Sequence, residues 1–299
     1  MISSVLPWYQ ALIMGLLQGV TELFPVSSLG HAVLFPSIFG WHEMARAQSQ
    51  PESYFLAFLV ALHVGTAFGL IAFYFSTWCK LFAGLFTQLT KPNTSLVNKL
   101  NPLDSGSDSR YRLLFLIGLG TIPVGLVGVA FEHKLRTVFA VPRYAAIFLT
   151  LNGVVMLLGE WLRRSAGRRS RNVKLAELSP VSAGLIGSAQ IAALFAGISR
   201  SGVAMVASLI RGLDHEDAAN FSFLLATPVI LLAGLYKIPD FLGPLGDGIR
   251  AQAFAGAVVA GIAAYFSVRF LSKWFHSHTL WPFGIYCLLA GGACIIHFA

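Results

Sequence analysis

Apolar runs of about twenty residues recur from one end of this chain to the other, and little else fits between them. A bilayer's hydrocarbon core needs a helix of roughly 20 apolar residues to cross it. Six segments have that length and character: 54–76, 111–131, 143–161, 217–236, 250–271 and 280–298. Only 11% of the 299 residues are charged, against roughly 25% in soluble domains. The polar stretches 91–110 and 162–178 are too short to bury a core, so a second, soluble domain has no room. The sequence therefore predicts one all-α polytopic membrane domain over 1–299.

Two further apolar regions, 8–40 and 180–210, are each interrupted by small and polar residues. The first interruption is Pro25-Val26-Ser27-Ser28-Leu29-Gly30-His31 and the second is Gly197-Ile198-Ser199-Arg200-Ser201-Gly202. Both read as half-helices joined by a turn. Irregular backbone at membrane depth is tolerated only where protein or a wet cavity surrounds it. The two regions also resemble each other. A shift of 172 residues lays 11–34 on 183–206 and aligns Ala11 with Ala183, Gly15 with Gly187, Gln18 with Gln190, Ser27 with Ser199, Gly30 with Gly202 and Ala32 with Ala204. The interruptions themselves coincide. This predicts six transmembrane helices plus two re-entrant helical hairpins arranged as an inverted repeat, repeat one about 1–175 and repeat two about 176–299.

Charge is consistent with that topology. With the N-terminus outside, loops 77–110, 162–178, 211–216 and 272–279 lie inside. Counted with their edges, they hold 14 Lys and Arg residues, against six outside and Arg200 left at depth. That is the positive-inside pattern, and both termini should face outward. The net charge of +8 is dispersed among these short loops, so it argues for anionic lipid as the partner and against nucleic acid. No Lys or Arg precedes Arg46, so the basic region of a signal peptide is not expected. Cys79, Cys287 and Cys294 show no CxxC or metal spacing and read as inert membrane cysteines.

An ionisable side chain at bilayer depth costs roughly 2.5–3.5 kcal/mol and usually marks function. Glu22, His31, His63 and Arg200 qualify. Arg200 offers a planar fork suited to phosphate. A half-helix N-terminus favours an anion, and Ser27, Ser28, Ser199 and Ser201 add hydroxyls beside Gly202. His31 with Glu22 could form a base and its orienting carboxylate, with a serine as nucleophile. These are parts for phosphoryl transfer, with the site at the meeting of the two interruptions. His63, in Ala61-Leu62-His63-Val64-Gly65, reads as a packed histidine near that site. A polyprenyl-phosphate flippase or another inverted-repeat transporter is the alternative, since it needs Arg200 but no nucleophile.

The stretch Gln18-Gly19-Val20-Thr21-Glu22-Leu23-Phe24-Pro25-Val26-Ser27-Ser28-Leu29-Gly30-His31 resembles the first signature of the bacterial undecaprenyl-diphosphate phosphatases, the bacitracin-resistance family. Gly197 to Gly202 resembles the second signature, and Ala218 to Pro228 the segment that follows it. The resemblance implies hydrolysis of undecaprenyl diphosphate in a bacterial plasma membrane, with the site facing the periplasm and a divalent cation, Mg2+ or Ca2+, assisting. It makes Glu22, Ser28, His31, Ser199 and Arg200 the functional residues, with Glu22 the candidate metal ligand. Ser28 and His31 both stay open as the nucleophile. Gln18 stands at the first position of the family's Glu/Gln-xxx-Glu pattern, leaving one carboxylate there, and Ala196 replaces the usual proline of the second motif. The partners implied are the polyprenyl diphosphate, membrane lipids and, as a homodimer, a second copy of the chain.

Overall fold

The computed structural model describes residues 6–48, 50, 53–91, 102, 107–139, 141–166 and 173–299, with 132–139 and 240 given by backbone alone. Twelve α-helices run through them: α1 (Trp8–Thr21), α2 (Ser28–Ile38), α3 (His42–Gln48), α4 (Tyr54–Phe73), α5 (Phe75–Leu89), α6 (Ser109–Phe139), α7 (Pro142–Ala166), α8 (Pro180–Ala189), α9 (Arg200–Ile210), α10 (His215–Leu242), α11 (Arg250–Trp274) and α12 (Trp281–His297). No strand occurs among the described residues.

Five helices are long and apolar enough to cross a membrane: α4, the Ser109–Phe131 part of α6, Pro142–Ser165 of α7, His215–Pro239 of α10, and α11. The sixth expected span, α12, is apolar but 17 residues long. It begins only at Trp281, after the turn that follows α11, and so falls short of the expected 280–298. The molecule's outer surface is rich in large apolar side chains. Phe68, Leu126, Phe254, Phe266, Leu289 and Ile296 are each more than half exposed, and such continuous apolar surface calls for a cover other than water.

The sequence reading is corrected at two connections. Residues from 77 onward, expected as a loop, continue as α5, which leaves α4 after the single residue Tyr74. Leu81, Gly84 and Gln88 of α5 pack inward, while Phe75, Phe82 and Phe86 stay exposed. An amphipathic helix with a bare aromatic face is the pattern of one lying along a bilayer surface. The segment between α2 and α4 carries the short helix α3. In the charge count, Lys99, Arg168, Arg169 and Arg171 lie outside the described residues, and the side chains of Lys134 and Arg136 are not described.

Small residues bring the helices together. A Cβ added to Gly15 of α1 would sit 2.3 Å from the Gly256 carbonyl of α11, and one on Gly187 of α8 would sit 2.1 Å from the Gly120 carbonyl of α6. Bilayer interiors offer no hydrophobic drive between helices, so such close backbone approach supplies the packing energy. α4 lies on α11 and on α10, and α7 lies on α12. α1–α2 packs on α11 and α7, α8–α9 packs on α6, α7 and α10, and the two pairs meet at their interruptions.

Candidate functional site

The first interruption begins where α1 ends. Glu22 caps that helix, its N–H donating to the Gln18 carbonyl at 3.0 Å. The chain turns through 22–27 and restarts as α2 at Ser28. Ser27 makes the restart possible at a cost. Its φ is +72°, the one positive value on a non-glycine among the described residues, a conformation costing about 1–3 kcal/mol. Its Oγ accepts the Gly30 N–H at 3.2 Å, capping α2, and the Gly197 N–H of the other interruption, also at 3.2 Å.

The second interruption is built alike. α8 tightens into a 3-10 turn over Gln190–Leu194, Gly197 adopts φ +111°, and Ser199 caps α9 by accepting the Gly202 N–H at 3.1 Å. Ser28 and Arg200 each therefore open a helix. Each polar motif expected as a turn is divided: Pro25–Ser27 and Gly197–Ser199 lie in the turn, while 28–31 and 200–202 form the first helical turn, which the serine caps start there.

The interruptions touch directly. A Cβ on Gly30 would lie 2.8 Å from the Gly197 Cα, and one on Gly202 would lie 3.3 Å from the Pro25 carbonyl. At their junction sits the Glu22 carboxylate. The Ser28 hydroxyl donates to its Oε2, the Gln18 amide donates to the same oxygen at 2.9 Å, and the Arg200 guanidinium bonds Oε1 from the second interruption. His63 of α4 brings its Nε2 to 3.4 Å from Oε2, while its Nδ1 donates to the Leu59 carbonyl at 2.8 Å. The Glu22 side chain is 4% exposed and that of Arg200 16%, so the pair is held largely away from solvent. Ser201 places its Oγ 3.0 Å from Ser199 Oγ and 3.4 Å from the Glu22 carbonyl oxygen. Gln18, Glu22, Ser27, Ser28, His63, Ser199, Arg200, Ser201 and Gly202 are thus gathered in one place.

His31 is the exception to the expected pairing. Its Nδ1 donates to the Ser27 carbonyl at 2.8 Å, and its Nε2 lies 2.8 Å from the Tyr286 hydroxyl. Glu22 does not orient it. One helical turn of α2 carries the imidazole outward to α12, while Ser28, three residues earlier, faces Glu22. Glu22 is instead the hydrogen-bond acceptor of the candidate nucleophile Ser28.

Two elements of the site, and one contact outside it, escaped the sequence reading. Asn152 of α7 is fully buried; its amide donates to the Pro25 carbonyl at 3.1 Å and its Oδ1 accepts the Ser199 N–H at 3.0 Å, tying both interruptions to one side chain. An asparagine in the middle of an apolar span was the available signal, weaker than that of an ionisable residue because its side chain is neutral. Tyr286 carries no signal at all in its aromatic helix. Away from the site, buried Glu160 accepts the Leu280 N–H at 2.7 Å and lies 2.7 Å from His215 Nε2, fastening α7 to α10 and to the start of α12.

Among the described residues no three His, Cys, Asp or Glu side chains gather as a metal centre. One orphan does fit a hard cation. The Gln18 Oε1 is buried without a hydrogen-bond partner, beside the Glu22 carboxylate. A carboxylate, an amide oxygen and the phosphates of a substrate are the kind of oxygen set that Mg2+ accepts.

Known proteins resemble the chain along nearly its whole length. The family model described as bacitracin resistance protein BacA matches residues 11–293. The undecaprenyl-diphosphatase 2 of Frankia alni is 44% identical, with 98% of each chain covered. The undecaprenyl-diphosphatase of Mycolicibacterium paratuberculosis is 46% identical over 98% of each chain, and that of Granulibacter bethesdensis 39% identical over 97% of each.

Proposed function

The chain belongs to the bacitracin resistance protein BacA family, and on that premise we propose how its site hydrolyses undecaprenyl diphosphate to undecaprenyl phosphate and inorganic phosphate. The relatives' names favour hydrolysis over the flippase alternative. The protein is a multi-pass membrane protein, and its substrate is a lipid of that membrane, whose recycling serves cell-wall synthesis.

One observation carries the mechanism: a carboxylate from the first interruption receives both the Ser28 hydroxyl and the Arg200 guanidinium. Phosphoryl transfer needs positioning and charge neutralisation more than covalent help. Arg200 turns from Glu22 toward the terminal phosphate, where its fork can bind two oxygens. Ser28 Oγ attacks the phosphorus as its proton passes to Glu22 Oε2. The bond to the bridging oxygen breaks, and undecaprenyl phosphate leaves with the electron pair. Water then attacks the phosphoserine as one proton is taken up at His31 Nε2. Ser28 Oγ departs and recovers the proton held by Glu22. Glu22 and Gln18 Oε1 would hold a divalent cation, which would add charge neutralisation on the diphosphate.

The finer architecture belongs to the same proposal. α1–α2 and α8–α9 are re-entrant hairpins, and α4, α6, α7, α10, α11 and α12 are the six spans of an inverted repeat. Its support is reciprocity: positions 30 and 202, like 25 and 197, are related by the 172-residue shift, and Gly30 meets Gly197 as Gly202 meets Pro25. In a two-fold arrangement such pairs must occur twice. The basic loops then lie inside, and the site faces the periplasm.

Purified protein in detergent, given undecaprenyl diphosphate, should yield undecaprenyl phosphate on thin-layer chromatography with one phosphate per lipid, and Ser28→Ala should yield neither. A wild type inactive with Mg2+ and with Ca2+ ends the hydrolase reading.

A further inference from the structure

We propose that Tyr286 positions His31 and passes it the proton it takes up during turnover. The inference rests on the phosphatase reading and assigns a residue in a helix that none of the motifs reaches. A carbonyl oxygen only accepts, so His31 Nδ1, 2.8 Å from the Ser27 carbonyl, carries a hydrogen. Nε2 is therefore the nitrogen that gains or loses a proton, and it faces the Tyr286 hydroxyl at 2.8 Å. The tyrosine ring also stacks on the imidazole, centroids 5.8 Å apart and planes 10° from parallel. A hydroxyl both donates and accepts. It donates to Nε2 of the neutral ring and accepts from Nε2–H of the charged one, so the imidazole keeps one orientation in both states. With Nε2 covered in this way, water cannot give its proton to the ring directly. It gives it to the Tyr286 oxygen as the tyrosine's own hydrogen moves to Nε2.

The helix that delivers Tyr286 is fixed in register. The next residue, Cys287, lies fully buried with its sulfur 3.5 Å from the Asn152 amide that joins the two interruptions. One turn earlier, a Cβ on Gly153 would fall 2.7 Å from the Gly284 carbonyl. α12 thus presents Cys287 to the junction and Tyr286 to His31 together. Tyr286 itself is 45% exposed.

Two substitutions separate the hydroxyl from the ring. Tyr286→Phe keeps the stacking and removes the relay; Tyr286→Leu removes both. Proton transfer by a positioned side chain typically contributes about 10²–10⁴-fold in rate, and about 10-fold is the least expected here, because Tyr286 acts through His31. With undecaprenyl diphosphate as substrate, kcat should fall about 10-fold or more in both variants while KM stays within about twofold. A Phe variant that matches wild type beside an impaired Leu variant would leave the tyrosine a packing role and overturn the inference. A second readout does not use activity: the rate at which diethyl pyrocarbonate modifies His31, followed on its peptide by mass spectrometry. Uncovering Nε2 in Tyr286→Phe should speed modification several-fold; equal rates would overturn the contact. A wild type that releases no phosphate would fail the phosphatase reading instead, and the modification rates would still decide whether Tyr286 covers Nε2.

Discussion

Replacing Arg200 by alanine should destabilise the protein through the group left behind. Glu22 is 4% exposed at its side chain, and Arg200 is its one fully charged partner among the described residues. Removing one member of a buried ion pair costs about 3–5 kcal/mol, because the other charge stays in a poorly solvating place. The Ser28 and Gln18 donors remain on Glu22, which sets the expectation at the lower end, about 3 kcal/mol. At about 2 °C per kcal/mol for a chain of this size, the melting temperature in detergent should drop by about 6 °C. The cause is tested by adding Glu22→Gln to Arg200→Ala, which removes the stranded charge but keeps a side chain of nearly equal volume. The double variant should recover at least about 1 kcal/mol of the loss, a coupling expected only of residues in contact. The assay is thermal unfolding of the three variants and wild type, read by tryptophan fluorescence and by loss of the monodisperse gel-filtration peak. Losses that simply add, with the double variant less stable than Arg200→Ala, would show that the two charges do not meet and would refute the geometry.

Other consequences can be checked directly. Rapid quenching with substrate labelled in its terminal phosphate should trap a phospho-enzyme that survives acid and disappears in Ser28→Ala; an acid-labile adduct lost in His31→Ala would make histidine the nucleophile instead. Asn152→Leu should cost about 1–3 kcal/mol by leaving the Pro25 carbonyl and Ser199 N–H unpaired, and unchanged thermal stability would count against its bridging role. Gly30→Ala pushes a Cβ against the Gly197 backbone, where little can yield; a loss of about 1–3 kcal/mol is expected, with activity falling as the two interruptions part. Gln18→Leu should weaken activation by added Mg2+ or Ca2+ at subsaturating concentration, and an unchanged titration would remove Gln18 from any cation site.

Much of the helical architecture could be read from the chain alone, because a bilayer imposes one length and one polarity on anything that crosses it. Glu22 and Arg200 stood out for the same reason, since each is expensive at depth unless it has work or a partner, whereas Ser28 drew notice as a hydroxyl in the first interruption. Ser27 and Ser199 announced the interruptions, yet their capping bonds place the helix starts at Ser28 and Arg200, with Ser27 in a positive-φ conformation and Ser199 extended. What stayed hidden was set by helix register. Whether His31 faces Glu22 or Tyr286 depends on a rotation of α2 that spacing along one chain does not give, and Tyr286 lies 255 residues away. Asn152 is a single neutral polar residue in an apolar helix, and only the meeting of two distant breaks on its two amide atoms shows its part. α5 was misread because its exposed face carries aromatic residues while only Leu81, Gly84 and Gln88 are buried, unlike a water-soluble surface helix.

The central claim is that the two interruptions form one phosphatase site, with Arg200 supplied by the second to chemistry begun by Ser28 and Glu22 in the first. Its most direct test is the rate of phosphate release from undecaprenyl diphosphate by Arg200→Ala beside wild type, both shown folded by gel filtration at the assay temperature. Release by the wild type that falls at least about 100-fold in the folded variant is the predicted result, as for loss of a charged group that stabilises a transition state. A folded Arg200→Ala protein that hydrolyses the lipid at the wild-type rate would contradict the claim and confine the chemistry to the first interruption.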